Sequence, residues 1–286
     1  MIESRLLLTL AVAAAPLAFQ LAGMASEGGP RAEGANLNTE FCMVEYKGYM
    51  RPYRIFFPST YVHGQRAKDG EPKRFPLVIV LHPAGGDETS YFQWKGEPDR
   101  IQVVAEERGY IVAAPALPPF PEREGAGPGK GQLLDFYWNR LAEVRAPEMV
   151  EALVNEIKKQ RWIDDSRVYL MGASKGGLST YLAASRHPET FAAICGVVAL
   201  FPDSAVKGLA KVPTLMFNAT RDKHFSIDEA REMVDKLTAA GGEAKLHVVE
   251  GGHGGYRNYE AFDLIFDWFD AHQRKAEEES SADEEE

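Results

Sequence analysis

Residues 168–177 read VYLMGASKGG, an apolar run of strand character followed by a GxSxG pentapeptide and one more glycine. A serine in this setting sits on a sharp turn between a strand and a helix, which raises its hydroxyl above the edge of a sheet. The pentapeptide needs its glycines because side chains two residues before or after the serine would crowd the turn. The helix that follows would direct its positive N-terminal end toward negative charge developing nearby. The pattern predicts that Ser174 is a nucleophile.

Segments of strand character and helix character alternate along most of the chain. Two antiparallel strands are expected first, at 41–46 and 53–57, joined near Lys47 and Gly48. Later strands are expected at 76–81, 110–114, 168–171, 192–200, 212–217 and 246–249, and helices at 98–108, 147–160, 176–185, 226–239 and around 262–269. This alternation predicts an α/β fold with a mostly parallel sheet, an antiparallel N-terminal edge and helices on both faces. Ligands of such sheets bind beyond the carboxyl ends of the strands, so residues that follow strands are the candidates for chemistry.

A serine hydroxyl needs a histidine to accept its proton and a carboxylate to orient that histidine. His253 is the candidate base, because it directly follows the last expected strand within the run GGHGG. Asp222 follows the preceding strand and is the candidate acid, and Asp203, one strand earlier, is its rival. Other histidines are placed less favourably, in a loop, at a helix end, inside a strand or on the last helix: His63, His187, His247 and His272.

An oxyanion hole is expected to consist of two backbone N–H groups. Lys175, the residue after the nucleophile, would supply one of them. The segment LHPAGG at 81–86, which follows the apolar run PLVIVL, would supply the other. Pro83 has no N–H, so we expect the donor to be Ala84, with Gly85 as the alternative. The side chain of Lys175 itself is expected to be solvated or paired.

About residues 40–272 resemble the α/β-hydrolases of the polyhydroxybutyrate depolymerase and feruloyl or acetylxylan esterase branch. The resemblance is carried by LHPAGG at 81–86, DDSRVYLMGASKGG at 164–177, the RD pair that ends at Asp222, and GGHGG at 251–255. The order serine, aspartate, histidine along the chain is also that of this fold.

This resemblance implies the three-layer α/β-hydrolase fold and a serine esterase without a metal or an organic cofactor. The chain departs from the family pattern at two places, where such enzymes often have His-Gly: it has His82-Pro83 at the first and Asn218-Ala219 at the second. The first difference bears on the identity of the oxyanion donor. The second bears on the loop that carries the candidate acid.

Aromatic side chains near the predicted site are candidates for substrate binding. The Pro- and Gly-rich stretch 117–135 reads as a long surface loop after a strand, and it leads to Phe136, Tyr137 and Trp138. Trp138 and Trp94 are the candidate substrate-binding residues, and an aryl or sugar-linked acyl ester would suit them. Three alternatives stay open: a small serine peptidase of the prolyl-oligopeptidase type, a non-catalytic α/β-hydrolase that binds a ligand, and an exported acyltransferase.

The N-terminal segment 1–25 is expected to be an export signal. Arg5 precedes an apolar run at 6–21, and Gly23-Met24-Ala25 supplies the small residues that predict cleavage after Ala25. An uncleaved membrane anchor is the alternative, because the apolar run approaches the length that spans a bilayer. We expect a periplasmic or secreted protein, anchored only if the segment is retained. A linker at 26–38, the α/β-hydrolase domain at 39–275 and an acidic disordered tail at 276–286 would follow.

Composition and charge indicate one globular domain and argue against a nucleic-acid-binding protein. The chain has 286 residues, 45% of them apolar, which is enough to fill the core of one large α/β domain. It carries 32 basic and 42 acidic residues, but seven of the acids lie in the tail, so the remainder is nearly neutral and offers no basic surface for nucleic acid. Cys42 and Cys195 read as free thiols, and the sequence has no CxxC or HExxH metal motif. The expected partner is a small-molecule or polymer-linked ester.

Overall fold

The computed structural model describes residues 39–92, 100–119, 132–254 and 260–274. Within these ranges the strands are β1 (Thr39–Tyr46), β2 (Tyr49–Phe56), β3 (Phe75–Leu81), β4 (Ile111–Pro115), β5 (Ile163–Ala173), β6 (Ala193–Val197), β7 (Thr214–Ala219) and β8 (Ala244–Val249). They form an eight-stranded sheet in the order β1-β2-β4-β3-β5-β6-β7-β8. The pairs β1–β2 and β2–β4 are antiparallel, and the other pairs are parallel.

The helices of the described ranges are α1 (Arg100–Arg108), α2 (Leu133–Glu143), α3 (Ala146–Gln160), α4 (Lys175–Arg186), α5 (Val206–Leu209), α6 (Ile227–Ala239) and α7 (Glu260–Asp270), with short 3₁₀ turns at 188–190 and 203–205. The architecture confirms the predicted fold class, including the antiparallel N-terminal edge. The parallel strands end at one edge of the sheet, so the loops after β3, β5, β7 and β8 lie along that edge.

The sheet separates two hydrophobic clusters, which explains the unbroken apolar run in β3. All seven residues of β3 are buried. Leu77 and Ile79 belong to the cluster that includes residues of α3 and α4. Val78 and Val80 belong to the cluster on the other face, which includes residues of α1 and α7. A strand covered on both faces has no position at which a polar side chain would reach water.

The predicted strand 192–200 is three residues too long at its end. β6 stops at Val197 because Val198 turns the chain with a φ of 43°, outside the range of a strand. Conversely, β5 begins at Ile163, five residues before the predicted start. The prediction missed these residues because the polar stretch DDSR does not have the sequence pattern of a strand.

The predicted loop 117–135 is wrong at its C-terminal end. α2 begins at Leu133, so Phe136, Tyr137 and Trp138 lie on a helix and not at the end of a loop. The segment from Leu133 to Glu143 contains no Gly or Pro, and only the Pro- and Gly-rich stretch before it obscured the helix.

Several predictions lie outside the described residues: the export signal at 1–25, the linker at 26–38, the acidic tail at 276–286, and Trp94. In the part of the chain that the structure describes, no helix has the length and apolar character that crossing a membrane requires. Cys42 in β1 and Cys195 in β6 are both free thiols, and Cys195 is completely buried.

Candidate active site

Ser174 occupies the turn between β5 and α4. Its backbone has φ 54° and ψ −119°, a combination that side-chain-bearing residues rarely adopt. The Ser174 N–H donates to the carbonyl oxygen of Val197 at 2.9 Å, which ties the turn to the end of β6. Because α4 begins at the next residue, the serine lies at the positive N-terminal end of a helix of 12 residues.

Three glycines allow the chain to pack this closely around Ser174. A Cβ atom on Gly176 would overlap the carbonyl oxygen of Leu81, at the end of β3. A Cβ atom on Gly172 would lie 2.5 Å from the carbonyl carbon of Gly176, and one on Gly177 would lie 2.6 Å from the Cβ of Ala199. The glycines around the serine are therefore required because the start of α4 packs closely against the end of β5, the end of β3 and the segment after β6.

His253 follows β8 and reaches the serine. Its Nε2 lies 2.9 Å from Oγ of Ser174, and its Nδ1 lies 2.7 Å from Oδ2 of Asp222. An ionised carboxylate can only accept a hydrogen bond, so Nδ1 carries a proton and donates it to Asp222. Nε2 is then the free acceptor for the serine hydroxyl. The imidazole is 32% exposed, so part of the ring is open to solvent.

The Asp222 side chain is completely buried beneath His253. Burial raises the pKa of this carboxyl, but the hydrogen bond from His253 and those from the backbone N–H groups of His224 and Phe225 outweigh it and bring the pKa below its usual value. Asp222 is therefore ionised at neutral pH and available as a permanent acceptor for His253.

The loops after β7 and β8 bind each other, which fixes the distance between acid and base. The N–H of Thr220 donates to the carbonyl of Val249 at 2.9 Å, and that of Arg221 donates to the carbonyl of Gly251 at 2.7 Å. The His224 ring also lies edge-to-face against His253, with 5.0 Å between ring centroids. His224 was not singled out in the sequence, because no motif marks it.

The loop after β3 is held by His82, for which the sequence predicts no role in the site. His82 is only 3% exposed. The Leu117 N–H donates to its Nε2 at 3.0 Å, so Nδ1 carries the proton and donates to the Pro83 carbonyl at 2.8 Å. Burial lowers the pKa of His82 to about 4, and the nearby Lys175 charge contributes, so the ring is neutral at pH 7. The signal that could have identified it is its position directly after the buried run PLVIVL.

Ala84 lies in the turn that His82 supports. The turn is closed by a hydrogen bond of 3.1 Å from the Gly86 N–H to the Pro83 carbonyl, and Gly85 has a φ of 76°. A Cβ atom on Gly176 would also lie 2.8 Å from the His82 carbonyl oxygen, so this loop passes directly beside the start of α4. The two expected oxyanion donors, Ala84 and Lys175, thus belong to adjoining segments.

Of the two states predicted for the Lys175 side chain, solvated or paired, the structure excludes the first. Only 8% of the residue is exposed. Burial disfavours the charged form and lowers the pKa of its ammonium to about 8. A lysine after the serine looks like a surface residue in the sequence, and only the packing of the loops reveals its burial.

Asp203 and Trp138, two further candidates from the sequence, have contacts outside the series Asp222, His253 and Ser174. Asp203, the rival acid, is exposed on a 3₁₀ turn and forms an ion pair with Lys236 at 2.7 Å. Trp138 is partly buried on α2 and packs against the hydrophobic cluster that contains α3 and α4. Its orientation toward a substrate stays a prediction.

One grouping within the described ranges has side chains of the type that bind metals. Glu151, His187 and Glu189 place one potential ligand atom each within 4.8 Å of the others. His187 follows the last residue of α4, whereas Ser174 precedes the first, so about 18 Å of helix separates this grouping from the serine. It has no part in the site described above.

One known protein family matches part of the chain. Residues 99–202 match the model of the prolyl oligopeptidase family. A dipeptidyl-peptidase 5 from Porphyromonas gingivalis is 32% identical over 133 residues, which are 45% of this chain and 17% of the relative.

Two esterases are among the other relatives. Feruloyl esterase B from Neurospora crassa is 28% identical over 117 residues, covering 41% of this chain and 36% of that protein. A bifunctional acetylxylan esterase/xylanase from Neocallimastix patriciarum is 27% identical over 147 residues, covering 51% of this chain and 19% of that protein. The chain therefore spans well under half the length of each of these three relatives.

Solved structures share the fold at low sequence identity. A thermostable esterase superposes with a TM-score of 0.60 at 23% identity, covering 82% of this chain and 63% of that one. An acylaminoacyl peptidase from Pyrococcus horikoshii superposes with a TM-score of 0.63 at 14% identity, covering 85% of this chain and 43% of that one. The chain has the α/β-hydrolase fold, and its relatives among esterases and peptidases support its being a serine hydrolase.

Proposed function

We propose that the chain is an exported serine esterase, which hydrolyses carboxylic esters through a covalent acyl-enzyme. The observation that carries the proposal is the series of hydrogen bonds from Asp222 through His253 to Ser174, at 2.7 and 2.9 Å. A hydroxyl in contact with a base, and a base oriented by a buried carboxylate, is the arrangement that activates serine for acyl transfer.

In the first stage, Oγ of Ser174 attacks the ester carbonyl carbon while Nε2 of His253 takes the hydroxyl proton. Asp222 stays ionised and stabilises the imidazolium that forms. The carbonyl oxygen becomes an oxyanion, which accepts hydrogen bonds from the backbone N–H groups of Lys175 and Ala84. His253 then gives its proton to the leaving oxygen, the C–O bond breaks, and the alcohol departs. The acyl group remains on Ser174.

In the second stage, water replaces the alcohol. Nε2 of His253 takes a proton from the water as its oxygen attacks the acyl carbon, and the same two N–H groups stabilise the second oxyanion. The proton then returns to Oγ of Ser174 as the bond to the acyl group breaks. The acid is released and the serine is regenerated.

The experiment for this proposal is turnover of short p-nitrophenyl esters by the full chain and by Ser174→Ala. We expect the substitution to reduce kcat by about 10⁴-fold or more, because the nucleophile is lost. Ser185→Ala, near the far end of the same helix, is the matched control and should retain wild-type kcat. Wild-type turnover in Ser174→Ala would rule out the assignment.

The substrates that we propose are aryl or sugar-linked acyl esters. The names of the feruloyl and acetylxylan esterase relatives support this class. Trp138 and Trp94 are the residues that we assign to substrate binding. Trp138→Leu should lower kcat/KM for methyl ferulate several-fold more than for p-nitrophenyl acetate. Equal losses for the two substrates would remove Trp138 from this role.

A peptidase of the prolyl-oligopeptidase type is the second candidate. The family match at 99–202 and the dipeptidyl-peptidase relative favour it. Parallel assays with a p-nitrophenyl ester and with p-nitroanilides of dipeptides separate the two functions. The esterase proposal predicts ester turnover with anilide turnover at least 10³-fold slower. Comparable turnover of anilides would favour the peptidase.

Export is proposed from the N-terminal sequence, and N-terminal sequencing of the protein secreted from a bacterial host tests it. We expect the mature chain to begin at Ser26, after cleavage behind Ala25. An intact N-terminus in the membrane fraction would favour the anchored alternative.

A further inference from the structure

The backbone around His253 does little to fix the direction of its side chain. The residue lies between Gly252 and Gly254 in the run GGHGG. Glycine restricts the backbone dihedral angles less than any other residue does. A Cβ atom on Gly254 would meet no atom of the described residues within 4 Å, so close packing does not hold the chain at that position. The imidazole must therefore be held by contacts of the ring itself.

The two ring nitrogens of His253 are not held equally through the reaction proposed above. Nε2 lies 2.9 Å from Oγ of Ser174 in the free enzyme, but its partner becomes the leaving oxygen and then water. Nδ1 keeps its hydrogen bond to Asp222, at 2.7 Å, in both stages. A ring with one constant hydrogen bond can rotate about that bond, so a further contact is needed to keep Nε2 aligned.

The loop that supplies Asp222 also brings two aromatic rings against His253. The ring of His224 lies edge-to-face, with 5.0 Å between the ring centroids and an interplanar angle of 84°. The ring of Phe225 lies 6.0 Å away at an angle of 42°. Both distances are in the range in which aromatic rings attract each other. The His224 N–H donates to Oδ1 of Asp222 at 2.8 Å, which ties this ring to the same carboxylate that holds the base.

Packing of the core explains the position of Phe225 but not that of His224. Phe225 is buried and belongs to the hydrophobic cluster that contains α3 and α4. His224 is exposed and polar, so its side chain contributes little to that cluster. Its ring instead contacts the imidazole of His253. A ring at this position limits the rotation of the imidazole about its bond to Asp222.

We propose that His224 is a positioning residue, whose ring keeps Nε2 of His253 directed at Oγ of Ser174 and then at the oxygens that exchange protons with it. The inference rests on the esterase mechanism above. His224 acts through His253 and does not contact the reacting atoms. Alignment of the base matters for the transition state and little for substrate binding, so the effect should appear in kcat and not in KM.

His224→Ala tests the proposal, because it removes the ring and leaves the N–H that binds Asp222 in place. We expect kcat for p-nitrophenyl acetate to fall about 3- to 10-fold while KM stays within about twofold. Rates are normalised to the sites that have reacted with a fluorophosphonate at completion, so that unfolded protein does not count. His63→Ala is the matched control and should match the wild type. His63 is also exposed and lies near an aromatic ring, but that ring belongs to Trp162, which precedes β5, whereas Ser174 follows it.

His224→Phe separates the ring contact from the charge and polarity of an imidazole. A phenyl ring can keep the edge-to-face contact with His253 and cannot be protonated. We expect kcat within about twofold of the wild type. A loss as large as that in His224→Ala would indicate a polar or electrostatic role and would overturn the inference.

Proton NMR gives a readout that a general loss of stability would not change. The Nδ1 proton in the bond between His253 and Asp222 resonates far downfield, and it exchanges with water when that bond opens. We expect this resonance to broaden in His224→Ala and to stay as sharp in His224→Phe as in the wild type.

A wild-type kcat or an unchanged Nδ1 resonance in His224→Ala would overturn the inference and leave the esterase proposal standing. A wild-type protein without ester turnover would instead remove the proposed function itself.

Discussion

Ser174 is held in a strained backbone conformation, and neighbouring contacts maintain it. A residue with φ 54° and ψ −119° costs of order 1–3 kcal/mol relative to a relaxed backbone. The hydrogen bond from its N–H to Val197 and the start of α4 at the next residue hold it there. In this conformation Oγ lies 2.9 Å from Nε2 of His253.

One pair of substitutions tests whether Asp222 or Asp203 is the acid that orients His253. Asp222→Asn should lower kcat by about 10⁴-fold with little change in KM, because an amide would favour the wrong tautomer of His253. Asp203→Asn breaks only an exposed ion pair with Lys236 and should retain wild-type kcat. Ester turnover at saturation measures both. Loss of kcat in Asp203→Asn alone would reverse the assignment.

His82 makes stability depend on pH in a defined window. Its pKa is about 4 in the folded chain and about 6.5 when unfolded, so between these values the unfolded chain binds a proton that the folded chain does not. Stability is therefore complete above pH 6.5 and falls as pH drops toward 4, by on the order of 3 kcal/mol. Urea unfolding from pH 7.5 to 4.5 measures this dependence.

The comparison variant for this prediction is His82→Gln, which cannot titrate. It should be less stable than the wild type at pH 7.5, because Leu117 loses a well-placed acceptor. The difference in unfolding free energy between the wild type and His82→Gln should become smaller as pH falls. A difference independent of pH would contradict the neutral, buried histidine.

Among single residues, the sequence predicted those candidate site residues whose positions follow from the ends of strands. Ser174, Asp222 and His253 each come directly after a strand, so their meeting at one sheet edge was expected. The burial of Lys175 and the role of His82 were not predicted. Lysine is usually exposed, and no sequence pattern identifies a buried histidine. Both depend on how two loops pack.

The turn between β5 and α4 is the element on which the site depends most. Gly176→Ala would push a Cβ atom against the Leu81 carbonyl oxygen, which is backbone and cannot move aside cheaply. We expect a loss of several kcal/mol in unfolding free energy together with a large loss of kcat. Thermal unfolding and ester turnover measure these effects. Ser185→Ala in the same helix is the control, and a fully active, stable Gly176→Ala would contradict the close packing.

Elements with clear end signals were predicted well. The capping box of Ser226 and Glu229 marks the start of α6, and Gly109, with a φ of 73°, ends α1. α2 was missed because the Pro- and Gly-rich residues before it favour a loop. The end of β6 was missed because nothing in a run of apolar residues indicates that Val198 adopts a positive φ.

For the whole molecule, strand order explains why three distant segments meet. β5, β6, β7 and β8 are consecutive in the sheet and parallel, so the loops after β5, β7 and β8 emerge at the same edge. The convergence of these loops follows from the alternation of strands and helices in the sequence. Substrate choice does not follow in the same way, because it depends on loops whose packing no local pattern specifies.

If Ser174, activated by His253, forms the covalent intermediate, mass spectrometry after fluorophosphonate labelling will locate the adduct on that serine. We expect one adduct in the wild type, on the peptide that contains Ser174, no adduct in Ser174→Ala, and labelling at least 10³-fold slower in His253→Ala. An adduct on another residue, or labelling of His253→Ala at the wild-type rate, would contradict it.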